Sequence, residues 1–310
     1  MTIIGVDIGG TKCAVVRADE SGIPRDVRRF PTTNVRETLE NLYATIQGMD
    51  AGGDPVFGVS CGGPLDADKG VVLSPPNLPG WDNIPIVEEL TRRFGGEAYL
   101  MNDANAGALA EWAHGAARGC RNVVFLTFGT GMGAGIILDG RLYEGTSGYA
   151  GEVGHVRLAS HGPVGYGKAG SFEGLCSGGG IARLAQERAK AAGGWPSLNA
   201  GSIEDITARA VAEAAERGDA QALELFADVG RYLGLGLALL IDVLNPQVIV
   251  IGSIYVRCRR FLEPTMRQVL EEEALPRPLR DCRIVPAALG DEIGSYAAIA
   301  VARYREGLGP

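Results

Sequence analysis

A strand, a glycine-rich turn and a second strand follow one another twice in this chain of 310 residues, and this pattern constrains the fold more than any other feature. In the first copy, residues 3–8 are apolar and mostly β-branched, which is typical of a buried strand. They end in Gly9-Gly10, a pair that fits a tight turn because glycine adopts left-handed conformations at little cost. Residues 13–16 resume the apolar run, so this stretch predicts a β-hairpin.

The second copy begins at residues 121–128 and breaks into the glycine-rich stretch 129–135. Another apolar run, residues 136–138, ends in Asp139-Gly140, which predicts a two-residue hairpin turn. Glycine turns expose backbone N–H groups that can hold a phosphate. Because two such turns stand in matching contexts, we expect a duplicated α/β fold that binds a nucleotide.

Polar groups surround the first glycine turn. Asp7 lies at the end of the first strand, where a carboxylate can hold Mg²⁺ through water. Gly9, Gly10 and Thr11 offer backbone N–H groups and a hydroxyl for a phosphate, and Lys12 adds a cation. From these residues alone, a plain hairpin with a charged rim is an equally good interpretation.

Composition limits the class of protein. The length allows two domains, and 46% hydrophobic residues can fill a large core. A formal net charge of −8 argues against an open nucleic-acid surface. No run of 18 apolar residues and no basic leader is seen, so we expect a cytoplasmic protein that does not bind membranes. The six cysteines lack CxxC spacing, which favours reduced core residues.

An amide and a carboxylate stand together after the short apolar strand predicted at residues 98–101. Asn102 and Asp103 follow it directly, where a helix over 104–117 is predicted to begin. Ligand groups collect at strand ends in α/β folds, and this pair can bind a hydroxyl and take its proton. The alternative is that Asp103 only caps the helix.

Other segments carry weaker signals. The proline-rich stretch 74–81 cannot be helical, and it predicts either a rigid wall presenting Asn77 and the ring of Trp81 or a packed surface loop. Further helices are predicted over 34–48, 84–94, 177–192, 202–217, 219–244 and 261–273 and from about 290, with caps at Asn83, Ser177, Ser202 and Asp291.

Four motifs appear in a specific order: VDIGGTK at residues 6–12, MNDANA at 101–106, GTGMG at 129–133 and GEVGH at 151–155. With them the chain resembles, over essentially its whole length, the ROK family of bacterial sugar kinases and repressors. The resemblance implies an α/β, two-domain actin-like ATPase fold, related to ribonuclease H and hexokinase, with a cleft between domains. It implies an N-terminal domain over residues 1–117, on which a C-terminal helix of about 296–310 packs, and a larger domain over 118–295. It also implies a homodimer.

The same resemblance implies an ATP-dependent kinase that phosphorylates the 6-hydroxyl of a hexose, glucose or a close derivative, with Asp103 as general base. The residues that would bind the sugar are Gly63, Asn77, Asn102, Asp103, Glu152, His155 and Glu173. The residues that would bind ATP are Asp7, Gly9, Gly10, Thr11, Lys12, Thr130, Gly131 and Gly252, with Asp7 orienting Mg²⁺ through water. Ser253 departs from the Gly-Gly that the family usually has beside the adenosine.

One segment departs further. Most ROK members have a zinc motif of a histidine followed by Cys-x-Cys-Gly-x-x-Gly-Cys-x-Glu, whereas this chain has Val164, Tyr166 and Ser171 at the cysteine positions and keeps Glu173. Structural zinc usually needs four Cys or His ligands. We therefore expect no structural zinc, and we expect the loop to be held by packing of Tyr166 and Phe172.

Two alternatives stay open. A sugar-responsive repressor of the family would carry a helix-turn-helix before the first strand, and here the first strand is predicted at Ile3, so we do not expect DNA binding. A catalytically idle sugar-binding protein is the other. The sugar is also open: N-acetylhexosamines, fructose, allose, kanosamine-like aminosugars and β-glucosides are alternatives to glucose.

Overall fold

The computed structural model describes residues 2–49 and 53–309, in which strands and helices alternate. The strands are β1 (Ile3–Ile8), β2 (Lys12–Ala18), β3 (Pro24–Pro31), β4 (Val56–Cys61), β5 (Leu65–Asp66), β6 (Val71–Val72), β7 (Glu97–Asn102), β8 (Val123–Leu126), β9 (Ala134–Leu138), β10 (Arg141–Leu142), β11 (Val164–Gly165), β12 (Lys168–Ala169), β13 (Val248–Ile251) and β14 (Arg283–Pro286).

The α-helices lie mostly between the longer strands. They are α1 (Val35–Gln47), α2 (Ile86–Phe94), α3 (Asp103–His114), α4 (Phe172–Cys176), α5 (Gly178–Ala192), α6 (Ala208–Glu216), α7 (Ala220–Leu244), α8 (Ile254–Glu273), α9 (Pro276–Asp281) and α10 (Ile293–Arg305). Among the described residues, no helix has the length and apolar character needed to cross a membrane.

The chain divides into two compact units. Unit 1 contains the described residues up to Cys120, the segment Gly135–Ala150 and the described residues from Ala288 onward; unit 2 contains Arg121–Ala134 and Gly151–Ala287. The segment Gly135–Ala150, which the sequence assigns to the second domain, belongs to unit 1. It is attached there by a hydrogen bond of 3.0 Å from the Leu142 N–H to the Tyr304 hydroxyl.

Unit 1 is built on a five-stranded sheet in the order β3-β2-β1-β4-β7. The hairpin predicted at the first glycine turn is confirmed, since β1 and β2 pair antiparallel with Ile8 opposite Cys13. Strands β1, β4 and β7 are parallel, and Ile8, Cys61 and Asn102 lie side by side in register. The carboxyl ends of three strands therefore meet at one edge of this sheet.

Helices pack on both faces of that sheet. One face packs against α1 and α2 through Val6, Val59, Leu42 and Leu90, which are inaccessible to solvent. The other face receives α10, and Gly58 permits the close approach because a Cβ there would overlap the backbone of Ala298. The C-terminal helix thus packs on the sheet of unit 1.

Two features of the loop region in unit 1 differ from prediction. The Trp81 side chain is fully buried in the core, so the stretch 74–81 presents no aromatic face. Asn83 does not cap a helix: it has a positive φ of 55°, and α2 begins only at Ile86. Ile84 pairs with Val72 instead, so backbone pairing replaces the first helical turn that was predicted.

In unit 2, β8, β13 and β14 lie side by side in parallel. The prediction of one long helix is confirmed by α7, which Asp219 caps by accepting a hydrogen bond of 2.9 Å from the Ala222 N–H. Its apolar half packs on α8, where a Cβ on Gly230 would overlap the Thr265 hydroxyl. Glycine on this face allows the two helices to come into close contact.

Three helix starts in the C-terminal half are wrong in the prediction. Thr207 rather than Ser202 caps α6, and the Ser202 hydroxyl donates to Asp205 at 2.8 Å. Helix α8 begins at Ile254, earlier than predicted, and a 3₁₀ turn over Gly290–Glu292 precedes α10, so Asp291 is not its cap. The cap at Ser177 is confirmed by a hydrogen bond from the Gly180 amide, and in the structure Asn34 caps α1 by accepting from the Glu37 amide.

Candidate functional site

The predicted site residues of unit 1 converge at the sheet edge where β1, β4 and β7 end. Asp7 is the second-last residue of β1, Gly62 and Gly63 follow β4, and Asn102 is the last residue of β7. Because these strands are parallel and in register, their following residues are brought together. Sequence alone placed each group at a strand end, and the register makes them neighbours.

The first glycine turn is compact. The Gly9 N–H donates to the Lys12 carbonyl at 3.2 Å, and the Gly9 carbonyl accepts from the Thr32 hydroxyl at 2.5 Å. Gly10 lies so close to Asn77 that a Cβ there would be 2.5 Å from its carbonyl oxygen. Gly10, Thr11 and Lys12 are exposed, so a ligand can reach this turn beside Asn77.

Asn102, not Asp103, caps α3. The Asn102 Oδ1 accepts a hydrogen bond of 2.9 Å from the Ala104 N–H, as a helix cap does. Asp103 is the first residue of the helix, and its Oδ2 is 3.8 Å from where a Cβ on Gly62 would be. The alternative in which Asp103 acts as the cap is wrong, and its carboxylate stands at the sheet edge beside the glycine pair.

The two carboxylates of this edge are difficult to ionise. Burial, with a second contribution from Asp103, raises the pKa of Asp7 to about 6, although Lys12 and Arg29 act in the opposite direction. Burial also raises the pKa of Asp103, while its N-terminal helix amides oppose the shift. The Asp103 residue is nevertheless exposed to solvent. Neighbouring protein atoms therefore remove only part of the water around its carboxylate.

Asp7 also has a neighbour that the sequence analysis missed. Gly294, in the first turn of α10, lies directly against the Asp7 carboxylate, and a Cβ at this position would overlap its Oδ2. No local sequence signal reveals this glycine, because the contact joins residues nearly 300 positions apart in the chain. It means that α10 forms one wall of the Asp7 environment.

In unit 2, the second glycine turn forms hydrogen bonds with Glu173 and with the first residue of α5. The Met132 N–H donates to the Glu173 Oε2 at 3.0 Å, and the Gly178 N–H donates to the Gly129 carbonyl at 2.8 Å. A Cβ on Gly131 would be 2.8 Å from the same Glu173 oxygen. The structure therefore brings Glu173 together with the turn that contains Thr130 and Gly131.

Gly252 and Ser253 lie against the same turn. The Gly252 N–H donates to the Leu126 carbonyl at 2.9 Å, and the Ser253 Oγ is 3.9 Å from the position of a Cβ on Gly129. Ser253 has a positive φ of 48°, a conformation that favours glycine. The residue that departs from the family pattern therefore occupies a conformation suited to the glycine it replaces.

Glu152 precedes a short 3₁₀ turn over Val153–His155, His155 is the last residue of that turn, and both side chains are exposed. The His155 ring meets the Tyr166 ring edge to face, with centroids 6.3 Å apart. Between Glu152 and His155 in the sequence, Gly154 packs against Glu173: a Cβ on Gly154 would be 3.3 Å from the Glu173 Cβ. The three predicted sugar-binding residues of unit 2 therefore share one region.

A family model described as the ROK family matches residues 3–305. The chain belongs to the ROK family. Among curated relatives, the glucokinase of Thermotoga maritima is 32% identical over 99% of both chains. The N-acetylmannosamine kinase of Citrobacter koseri is 32% identical, over 93% of this chain and 98% of that protein.

Solved structures of ROK proteins match as well. The ROK family glucokinase of Streptomyces griseus in complex with glucose and AMPPNP superposes with a TM-score of 0.79 at 30% identity, over 98% of this chain and 100% of that one. A ROK family transcriptional regulator superposes with a TM-score of 0.84 at 25% identity, over 98% of this chain and 78% of that chain. The chain has the actin-like ATPase fold of the ROK hexokinases.

The zinc that most ROK members bind does not fit this chain's residues. The Ser171 Oγ is buried and caps α4 through a hydrogen bond of 3.1 Å from the Gly174 N–H, while Val164 and Tyr166 are exposed. Within residues 2–49 and 53–309, no three His, Cys, Asp or Glu side chains are grouped to hold a metal. Phe172 is buried as expected, whereas the expectation that Tyr166 packs into the loop is wrong, since it is 68% exposed.

Proposed function

We propose that this protein is an ATP-dependent sugar kinase, an ATP:hexose phosphotransferase that transfers the γ-phosphoryl group to the 6-hydroxyl of glucose or a close derivative. The observation that carries the proposal is the position of Asp103, a crowded carboxylate at a sheet edge that neither caps its helix nor forms an ion pair with a cation among residues 2–49 and 53–309. The family membership and the glucokinase relatives support the same activity.

Asp103 is the proposed general base. Its raised pKa makes the carboxylate a better proton acceptor than an ordinary aspartate, and a base works best when its pKa approaches the working pH. As the sugar hydroxyl attacks phosphorus, Asp103 takes its proton. Phosphoryl transfer needs positioning and charge neutralisation more than covalent chemistry, so a single well-placed carboxylate suffices for the proton.

The sugar ring is bound, in this proposal, by Asn77, Asn102, Glu152, His155 and Glu173 and by the backbone of Gly63. Amides, carboxylates and an imidazole suit a polyol because each can pair with a hydroxyl. A substrate that lacks one of these hydroxyls would leave a polar group unpaired, which costs about 1–3 kcal/mol. These residues therefore select the substrate as well as hold it.

ATP is bound, in this proposal, by the two glycine turns, with Gly9, Gly10, Thr11 and Lys12 at one and Thr130 and Gly131 at the other, and by Gly252. Asp7 is suited to hold Mg²⁺ through water, since an oxygen donor at the end of a strand fits the preference of this cation. When bound, Mg²⁺ would neutralise phosphate charge. Asp7 itself must be ionised for this role, and Lys12 and Arg29 assist by lowering its pKa.

The experiment is a coupled assay of ADP release with Mg²⁺, ATP and a panel of sugars: glucose, mannose, fructose, allose, N-acetylglucosamine, N-acetylmannosamine, kanosamine and a β-glucoside. We expect turnover with one or a few hexoses and a 6-phosphorylated product by NMR. The kinase proposal is wrong if no sugar in the panel stimulates ADP release although calorimetry shows that one of them binds.

The alternative is a sugar-binding ROK-type regulator or a catalytically idle sugar-binding protein. The structural similarity to a ROK family transcriptional regulator supports the first of these. Binding without turnover in the same assay would support this alternative. A homodimer and a cytoplasmic location, expected from the resemblance, stay predictions.

A further inference from the structure

The segment that departs from the family's zinc motif forms a β-hairpin. Strands β11 and β12 pair antiparallel, with Val164 opposite Ala169 and Gly165 opposite Lys168. The two turn residues, Tyr166 and Gly167, have φ values of 45° and 76°. Positive φ at both central residues is the geometry of the hairpin turns that match strand twist. Backbone pairing therefore gives this segment a defined shape.

The base of the hairpin is fixed in the core of unit 2. The Ser171 side chain is buried and bonds to α4, and a Cβ on Gly165 would be 2.5 Å from the Gly174 amide nitrogen. Phe172 is buried, and its ring lies directly against Gly236 of α7. The hairpin therefore projects from an anchored base, and Tyr166 at its tip is exposed.

Side-chain contacts connect the hairpin to the segment that carries His155. The Lys168 Nζ donates to the His155 carbonyl oxygen at 2.7 Å, and the Arg157 Nη1 donates to the Ala169 carbonyl oxygen at 2.7 Å. The Tyr166 ring meets the His155 ring at an interplanar angle of 82°. His155 is thus contacted on its backbone by one hairpin residue and on its ring by another.

We infer that Lys168 and Tyr166 are positioning residues for His155, and that this hairpin replaces zinc as the device that holds the histidine. A metal would fix the imidazole by coordination, whereas here a charge-assisted hydrogen bond fixes the main chain and an edge-to-face contact fixes the ring. The link to sugar binding rests on the proposed function, which makes His155 a sugar contact. Sugar affinity is therefore independent of zinc and depends on these two residues.

Two pairs of variants test this inference. Lys168→Met and Tyr166→Ala remove the contacts, whereas Lys168→Arg and Tyr166→Phe retain a donor and a ring. Lys190→Met, at an exposed lysine on α5 of the same unit, is the matched control. The first measurement is hydrogen exchange of the Leu158 and Phe172 amides, which bond across this junction to the Gly170 and Val156 carbonyls. It does not depend on any enzymatic activity.

We expect Lys168→Met and Tyr166→Ala to speed exchange of these amides about threefold to tenfold, the change that one surface hydrogen bond or ring contact accounts for. The other three variants should exchange as the parent does. The sugar KM should rise by a similar factor with kcat and the ATP KM unchanged. Treatment with EDTA should alter neither exchange nor the sugar KM.

The inference is overturned if exchange is the same in all five variants, or if EDTA loosens the junction and added Zn²⁺ restores it. Faster exchange with an unchanged sugar KM would overturn the link to His155. If the parent binds or phosphorylates no sugar, the proposed function fails, while the exchange result still decides whether the hairpin holds this turn.

Discussion

The carboxylates of Asp7 and Asp103 are electrostatic neighbours at one edge of the unit 1 sheet, and the charge of Asp103 contributes to raising the pKa of Asp7 to about 6. The relationship follows from strand register, since β1 and β7 both pair with β4 and end at the same level. Two neighbouring negative charges repel each other unless a bound cation or a proton neutralises one of them. The arrangement therefore costs stability in the metal-free protein and suits a site that binds cationic Mg²⁺.

This cost predicts a pH dependence of stability. Because the pKa of Asp7 is raised from 3.8 in the folded state, its contribution to stability is fully present below about pH 4 and is lost as the pH rises through about 6. Asparagine mimics the protonated form. In EDTA, the free energy of unfolding of Asp7→Asn relative to the parent should therefore increase, by up to about 3 kcal/mol, between pH 4 and pH 7.

Urea unfolding at several pH values measures this difference. The control is Asp54→Asn, the same substitution at an exposed position of the same unit. A difference between Asp7→Asn and the parent that is flat from pH 4 to pH 7 would show that Asp7 ionises as an ordinary aspartate.

Replacing Asp103 by Asn should separate catalysis from binding. The amide keeps the shape and hydrogen-bonding capacity of the side chain but cannot take a proton. With the sugar that the panel identifies, kcat should fall about 10²–10⁴-fold. Sugar affinity, measured by calorimetry, should stay within a few-fold of the parent. Turnover within a few-fold of the parent would remove Asp103 from the role of general base.

Glu111 is predicted to be the most important buried carboxylate for the stability of unit 1. It is inaccessible to solvent, and its two oxygens accept hydrogen bonds from the Ala116, Ala288 and Leu289 amides at 2.7, 3.2 and 3.0 Å. These bonds connect the end of α3 to the segment that leads into α10. Glu111→Gln points an NH₂ group at backbone donors, so at least one buried donor loses its acceptor.

We expect Glu111→Gln to lower the free energy of unfolding by about 1–3 kcal/mol for each donor left unpaired. The matched control is Glu40→Gln on α1, which removes only an exposed ion pair with Arg36 and should change stability by about 0.5 kcal/mol or less. Equal effects of the two substitutions in urea unfolding would contradict the structural role of Glu111.

The sequence predicted well where a local signal decides the structure. Ser177 caps α5 and α7 forms one long helix as expected, and the glycine turn after residues 3–8 forms the predicted hairpin. The prediction failed where a contact between distant parts of the chain determines the local structure. Ile84 pairs with Val72 instead of starting a helix, and Trp81 enters the core instead of lining a wall, because the sheet and core that receive them are built from other parts of the chain.

The same distinction applies to the residues of the candidate site. Each predicted residue could be placed at a strand end or turn from the sequence, but the neighbours of those residues could not. Gly294 beside Asp7 and Lys168 beside His155 depend on chain segments that are remote or that form an unexpected element. The Tyr166-Gly167 turn gave no clear signal, since a two-residue hairpin turn of this type favours Asn, Asp or Gly before the glycine and this chain has tyrosine.

The close approach of Gly236 to Phe172 gives the last prediction. Alanine normally stabilises a helix interior relative to glycine by about 1 kcal/mol. In α7 a Cβ at position 236 would overlap the buried Phe172 ring, so overpacking should outweigh that gain and Gly236→Ala should lower the free energy of unfolding by about 1–3 kcal/mol. Adding Phe172→Leu should restore part of the loss that Gly236→Ala causes, whereas Gly53→Ala, with open space around it, should be nearly neutral. If Gly236→Ala instead raises stability in urea unfolding, helix propensity dominates and the packing of Phe172 on α7 is looser than described.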